Sequence, residues 1–290
     1  MGRPASRPLT GVLLMLGAFT FLPIVDSIAK ILLQYYPVLQ VVWARVFFHL
    51  AIMVPVLLWS VEWRHWWPRQ PKLQLLRSCF MFLVTVLFFA ALKTMPLVDA
   101  IALVFIAPLV VTALSPMLLG ERVGPRRWVA VVVGFAGAMM VVRPAFDHVP
   151  WEALYALGAG VSFGLLLLTT RKLSGADDPL VTLTFTAIIG GVVTTVALPM
   201  VWVTPTAFHW FLMAVAGLIA IAGHFMVIKA MDHAEASLLA PITYQELVVS
   251  TGLGYVLFGD FPEPWTWAGV AVIVSSGLFI TIRERKTRAG

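Results

Sequence analysis

Four ionisable residues lie close together in otherwise apolar stretches near the start of the chain: Asp26, Lys30, Arg45 and His49. Inside a hydrocarbon layer each such group costs about 2.5–3.5 kcal/mol on insertion scales, so each one needs a physical reason. Asp26 and Lys30 are four residues apart and can pair on one helical face, which leaves Arg45 available to a carboxylate. The structural alternative is that Asp26 pairs with Arg45 while Lys30 extends toward the water interface.

A second group of polar residues lies in the last third of the chain and consists of Tyr244, Gln245 and Glu246. A buried carboxylate such as Glu246 suits either proton transfer or recognition of an amino group. The structural alternative is a hydrogen bond from Glu246 to a neighbouring helix. His224 is the other candidate proton carrier, or else a core residue with satisfied hydrogen bonds. Ser162 adds a hydroxyl at the centre of a further apolar stretch.

The composition shows what must position these groups. The chain has 290 residues, of which 60% are apolar and 12% charged, and its mean hydropathy is +0.94. Soluble proteins average about 45–50% apolar and about 25% charged residues, so most of this chain must face lipid. The single cysteine, Cys79, excludes a disulfide framework and a cysteine-based metal site. We expect no metal, no cofactor and no nucleic-acid partner.

Apolar runs of about 20 residues are long enough to cross a bilayer, and Pro, Gly and charged residues separate ten of them. The predicted fold is therefore an all-α membrane protein with ten transmembrane helices. The predicted spans are 9–34, 38–59, 73–92, 97–118, 128–142, 153–173, 180–203, 210–231, 236–258 and 265–282.

The distribution of basic residues predicts the orientation of these spans. If the N-terminus is cytoplasmic, sixteen of the 20 Lys and Arg residues fall at the cytoplasmic side; the exceptions are Lys30, Lys93, Arg45 and Arg143. A Lys/Arg excess in short loops marks the cytoplasmic face. We therefore expect both termini in the cytoplasm and a multi-pass protein of the bacterial-type inner membrane.

The two halves of the chain share a pattern. Gly120-Glu121 precedes a tryptophan by seven residues, and Gly259-Asp260 does the same. Five helices in each half is an odd number, so the two copies must cross the membrane in opposite directions. Inverted repeats with a site near the midplane are a transporter architecture. The predicted repeats are residues 1–147 and 148–290.

These features resemble the drug/metabolite transporter superfamily and, within it, the ten-helix EamA-type exporters. The resemblance rests on the stretch 108–122, on Arg45 and on the Gly-Asp260 pair, and it covers nearly the whole chain. The chain departs from the family pattern in its second half, because it lacks the usual proline after Glu246 and has Asp260 where a glutamate is usual. The resemblance implies a carrier of small metabolites, commonly amino acids and often in the export direction.

The function expected from the sequence is secondary transport by alternating access, exporting aromatic and other neutral amino acids or similar small metabolites. The partners are then the cargo and the lipid bilayer, with proton coupling through Glu246 or His224. No nucleotide-binding G-x-x-x-x-G-K-[ST] motif is present. One alternative is another cargo, such as a nucleotide sugar or an S-adenosylmethionine-like compound. A second is a polytopic membrane enzyme that uses Asp26, Arg45 and His49.

Overall fold

The computed structural model describes residues 8–62, 66–120, 123–142, 150–173, 176–177, 179–233 and 239–288, and these contain no β-strand. The helices are α1 (Pro8–Leu32), α2 (Val38–Ser60), α3 (Pro71–Leu92), α4 (Leu97–Val104), α5 (Ala107–Leu119), α6 (Pro125–Val142), α7 (Trp151–Leu173), α8 (Pro179–Val201), α9 (Ala207–His233), α10 (Gln245–Phe258) and α11 (Pro264–Arg288), with a 3₁₀ turn at Ala240–Tyr244.

Eight helical segments are long and apolar enough to cross a membrane, counting the pair α4 and α5 as one segment, and Pro264–Phe279 is a shorter apolar helix. This count covers only the described residues, and it identifies a multi-pass helical membrane protein. The ten-span count and the cytoplasmic position of both termini stay predictions.

Proline and glycine set most of the helix boundaries. Pro71 occupies the first position of α3, where the missing N–H of proline leaves no hydrogen bond unmade. Gly120 and Gly259 end α5 and α10 with φ values of 69° and 72°. Only glycine adopts this left-handed conformation without strain, so it ends a helix sharply.

Two of the predicted spans are discontinuous, which corrects the sequence-based expectation. The predicted span 97–118 is broken at Phe105 and Ile106 into α4 and α5. Pro108 lies in the first turn of α5 and cannot donate a hydrogen bond to the carbonyl of Val104. In the second half, α10 begins only at Gln245, after the 3₁₀ turn.

The breaks occupy matching places in the two halves. The helix that follows the break has 13 residues in the first half and 14 in the second, and each ends on a left-handed glycine. Discontinuous helices at corresponding positions of two repeats are typical of transporter binding sites, because the interrupted turns expose backbone polar groups.

Most packing joins one half of the chain to the other. By position in the two halves, α1 corresponds to α7 and α3 corresponds to α9. α1 packs against α9, and their counterparts α7 and α3 pack against each other in the same way. α2 packs against its own counterpart α8, and α6 packs against its own counterpart α11. The two halves therefore interlock. The predicted division between residues 147 and 148 lies outside the described residues.

Small residues permit this close packing, as the G-x-x-x-G pattern in α7 predicts. A Cβ atom added at Gly164 would lie 2.8 Å from Cβ of Val110, and one added at Gly160 would lie 2.9 Å from the carbonyl oxygen of Leu103. Side chains of any size would push α7 away from α4 and α5. The prediction of a packing role for these glycines is confirmed.

Candidate functional site

α1 and α2 bring a carboxylate and a guanidinium together inside the bundle. Asp26 is 8% exposed, and its Oδ1 lies 3.8 Å from an Nη atom of Arg45. Hydrogen-bonded ion pairs are closer, at about 2.7–2.9 Å between nitrogen and oxygen. The two groups therefore attract each other without a hydrogen bond between them.

Most of the binding capacity of Arg45 is unused. A guanidinium carries five N–H donors in a planar fork, yet no hydrogen bond from Arg45 is found within the described residues. Its closest other neighbour is the ring of Phe89, whose centroid lies 5.6 Å away. Since aromatic faces attract cations, Phe89 holds the guanidinium without occupying its donors.

Glu246 lies in the first turn of α10, beside the second helix break. This corrects the sequence-based expectation that it lies near the middle of a continuous helix. The break therefore places this carboxyl group at the start of a helix rather than in its interior. Glu246 is half-buried and within electrostatic range of Asp26.

Two histidines also lie near Arg45. His224 on α9 is hydrogen-bonded through Nδ1 to the Ala220 carbonyl at 2.6 Å. His49 on α2 interacts with the carbonyl of Leu183, and its Nε2 is buried without a hydrogen-bond partner among the described residues. Both rings are within electrostatic range of Arg45.

Five of the predicted site residues therefore share one region, which we call the central cluster: Asp26, Arg45, His49, His224 and Glu246. The central cluster combines two carboxyl groups with one guanidinium. A zwitterionic ligand suits such a site, because the guanidinium can bind a carboxylate while the acidic groups can accept hydrogen bonds from an ammonium.

Tyr244 and Gln245 lie at the second break, next to the central cluster. The ring of Tyr244 lies 5.2 Å from that of Phe105, measured between centroids, so the two helix breaks contact each other. Gln245 Nε2 donates to Thr20 Oγ1 of α1 at 2.8 Å. The sequence did not single out Phe105, although its place just before Ala-Pro108 is a signal for a break.

Lys30 does not belong to the central cluster. Its Nζ lies 2.7 Å from Oδ2 of Asp260, donates to the Met95 carbonyl at 2.9 Å and lies 4.7 Å from the ring centroid of Phe258. We predicted that Lys30 pairs with Asp26 or extends toward water. Both predictions are wrong, because Lys30 pairs with Asp260 from the other half of the chain.

Ser162 is also separate from the central cluster. It is 7% exposed within α7, two residues from Gly160. No hydrogen bond or ion pair links it to the central cluster among the described residues.

The sequence analysis did not predict a polar network in the N-terminal part of α3, at the end of this helix that is far from Lys30 and Met95. Arg77 donates from Nε to Thr170 Oγ1 at 2.8 Å and also binds Thr186 Oγ1 and the Thr182 carbonyl. These contacts join α3 to α7 and α8. The signal was available, because Arg77 falls inside the predicted span 73–92, but it was counted only as a marker of the cytoplasmic side.

A buried glutamine with both amide atoms satisfied was missed as well. Gln40 donates to the Val203 carbonyl at 2.6 Å and accepts from the Val203 N–H at 2.9 Å. This pair fastens the end of α8 to the start of α2.

Two cavities lie apart from the central cluster. One is an apolar groove between α6 and α11 with Arg126 on its wall. The other lies beside Met95 and includes Glu152. Neither contains a residue of the central cluster.

The sequence matches known transporters, and the fold matches a solved structure. The model of the EamA-like transporter family matches residues 9–143 and again residues 150–282. An S-adenosylmethionine uptake transporter of Rickettsia bellii is 28% identical over 85% of this chain and 84% of its own length. A solved structure superposes with a TM-score of 0.63 at 19% identity, over 96% of this chain and 99% of its own.

Other relatives carry different cargoes. A riboflavin transporter of Rhizobium johnstonii is 31% identical over 68% of this chain and 66% of its own length. A pseudopaline exporter of Pseudomonas aeruginosa is 30% identical over 69% of this chain and 71% of its own. These relatives are transporters, and the resemblance inferred from the sequence is confirmed. The chain therefore belongs to the EamA-like transporter family of the drug/metabolite transporter superfamily and is a multi-pass membrane transporter.

Proposed function

We propose that the protein is a secondary transporter whose cargo carries an α-amino-acid head, and that this head binds in the central cluster. The observation that carries the proposal is Arg45, an interior guanidinium whose fork has no hydrogen bond within the described residues. A cargo carboxylate would satisfy that fork through two parallel hydrogen bonds. Asp26 and Glu246, which are within electrostatic range of each other, would bind the cargo ammonium.

Two cargo groups meet this description. Free neutral amino acids, including the aromatic ones, carry the head alone. S-adenosylmethionine carries the same head plus a sulfonium cation, which an ionised carboxylate of the cluster would attract. A nucleotide sugar is disfavoured, because its phosphates would meet two carboxylates and a single arginine.

Alternating access would then move one set of helices against the other around the fixed cluster. The Lys30–Asp260 ion pair joins the two halves at one end of the bundle. The Arg77 network joins α3, in the first half, to α7 and α8 at the other end. Each set of contacts would open in turn as the cluster faces one side and then the other.

The membrane and orientation belong to this proposal as well. We place the protein in a bacterial-type inner membrane with both termini in the cytoplasm, because basic residues concentrate on that side. Single-cysteine variants at the two ends, labelled with an impermeant maleimide in whole cells and in opened cells, test this orientation. Labelling of the N-terminus in intact cells would contradict it.

The function is tested with purified protein in liposomes. Vesicles loaded with unlabelled cargo should exchange it for labelled S-adenosylmethionine, phenylalanine or threonine above the rate of empty vesicles. In Arg45→Ala the exchange should fall to that background. Wild-type exchange equal to background for all three compounds would refute the amino-acid head as the recognised group.

Direction and coupling need a second measurement, because the relatives include both uptake and export proteins by name. If Glu246 or His224 carries a proton, a pH gradient of one sign should drive cargo accumulation in the same vesicles, and the opposite gradient should deplete it. Glu246→Gln should slow exchange, because the variant also lacks a negative charge for the cargo ammonium, and the remaining exchange should no longer respond to the gradient. A wild-type protein indifferent to the gradient would make the transport facilitated diffusion.

A further inference from the structure

The amide of Gln245 has one fixed orientation. Thr20 Oγ1 donates its single hydrogen to the Leu16 carbonyl at 2.8 Å, so toward Gln245 it can only accept. The Leu16 carbonyl, 3.5 Å from the same amide nitrogen, is also an acceptor. The side of the Gln245 amide that faces α1 must therefore be the NH₂ group, which donates to Thr20 at 2.8 Å.

This orientation leaves the other amide atom without a partner. Gln245 Oε1 is buried and has no hydrogen-bond partner among the described residues. A buried acceptor without a donor is unfavourable, and a glutamine oxygen can only accept. The missing partner must therefore supply an N–H or O–H group.

The surroundings of Gln245 indicate which kind of group. Its chain neighbour Tyr244 lies against Phe105, with ring centroids 5.2 Å apart and planes inclined by 33°. Aromatic side chains of this kind bind flat π-systems by stacking or edge contacts. Gln245 binds Thr20 of α1, and Glu246 is within electrostatic range of Asp26 on that same helix. Thr20 and Asp26 are separated by about 9 Å along the helix axis, so a molecule bound at Gln245 could place its head in the central cluster.

We propose that Gln245 Oε1 accepts a hydrogen bond from an exocyclic amino group on a planar heteroaromatic part of the cargo, of the aminopurine class, packed beside Phe105 and Tyr244. The inference rests on the proposed function, because it extends the same cargo from its amino-acid head to its other end. Gln245 is then a specificity-determining residue, and the second helix break distinguishes cargoes that have this amino group from those that lack it.

Gln40 provides the matched control. It is another buried glutamine in a transmembrane helix, but both of its amide atoms bind the backbone of Val203. Replacing Gln40 by leucine therefore removes a structural hydrogen-bonding residue of the same type without touching the cargo.

The test compares two competitors that differ only at the amino group. Exchange of labelled S-adenosylmethionine in liposomes is inhibited by the unlabelled compound and by its deaminated form, in which a ring carbonyl replaces the exocyclic amino group. Wild-type protein should bind the deaminated form about tenfold more weakly, because two acceptors then face each other. In Gln245→Leu the two competitors should bind equally well, so the ratio of their inhibition constants should fall to about one, because the acceptor that recognises the amino group is removed.

Two further variants keep the result interpretable. Gln40→Leu should preserve the wild-type ratio even if its unfolding temperature falls. Thr20→Val frees the amide to rotate and should give an intermediate ratio, so it carries the test if Gln245→Leu does not fold.

The inference is overturned if the wild-type ratio is one, or if Gln245→Leu and Thr20→Val both keep the wild-type ratio. Exchange of phenylalanine or threonine without any exchange of S-adenosylmethionine would also overturn it, while leaving the proposed function intact. Exchange of none of these compounds would refute both.

Discussion

Two buried cations on neighbouring helices of the same half have opposite surroundings. Lys30 has its ammonium 2.7 Å from Asp260 and 2.9 Å from the Met95 carbonyl. Arg45 has only a carboxylate at 3.8 Å and an aromatic face at 5.6 Å. Both residues carry one positive charge inside a membrane protein, but Lys30 makes two hydrogen bonds and Arg45 makes none within the described residues.

The difference separates a structural charge from a charge available to a ligand. A saturated pair gains nothing from an incoming molecule, and breaking it leaves a buried charge uncompensated. A guanidinium with free N–H donors gains hydrogen bonds when a cargo carboxylate binds, so these bonds can contribute to the free energy of cargo binding. The following predictions test this distinction.

The largest effect is expected for Arg45→Lys, which keeps the charge but loses the planar fork. Losing a bidentate contact should lower the exchange rate at subsaturating cargo by about 10–100-fold, since hydrogen bonds to charged groups contribute about 1.5–3 kcal/mol. Initial exchange rates over a cargo concentration series measure this, and thermal unfolding in detergent checks the fold. Wild-type exchange with a lowered unfolding temperature would make Arg45 a structural residue like Lys30.

A smaller effect, on stability, is expected for Lys30→Met. Its removal should lower the free energy of unfolding by about 2 kcal/mol, between the values for exposed and fully buried pairs, because Asp260 is left without its partner. The double variant Lys30→Met/Asp260→Leu should recover most of that loss. Thermal unfolding measures both, and Lys93→Met, which removes an exposed lysine at the end of α3, should change nothing.

The Lys30 prediction has a clear contrary outcome. If Lys30→Met abolishes cargo exchange in protein that unfolds at the wild-type temperature, then Lys30 contacts the cargo and the distinction between the two cations is false.

The smallest effect is expected for Ser162→Ala. Ser162 is buried but not linked to the central cluster among the described residues, so cargo exchange should stay within about twofold of wild type, the range of a lost weak hydrogen bond. A loss comparable to that of Arg45→Lys would extend the binding site onto α7. The exchange assay used for Arg45 measures it.

Much of the candidate site was accessible from the sequence, because ionisable residues are rare within apolar runs. Asp26, Arg45 and Glu246 stand out by type alone, and the structure brings them into one region. The partner of Lys30 was not accessible, since Asp260 is 230 positions further along the chain and meets it only through packing of α1 against α10. The unpaired amide oxygen of Gln245 likewise depends on where Thr20 lies.

The sequence by itself determined that most of the chain faces lipid, which fold family it has and which charged residues lie within the apolar spans. It could do so because hydropathy, proline and glycine act locally along the chain. Only the tertiary structure decided which charges are already satisfied. That decision depends on distances of a few ångströms between helices from different halves, and no local pattern encodes them. The broken helices depend on the sequence and on the tertiary structure. Pro108 weakens the helix locally, but helix packing places the break against Tyr244 of the other half.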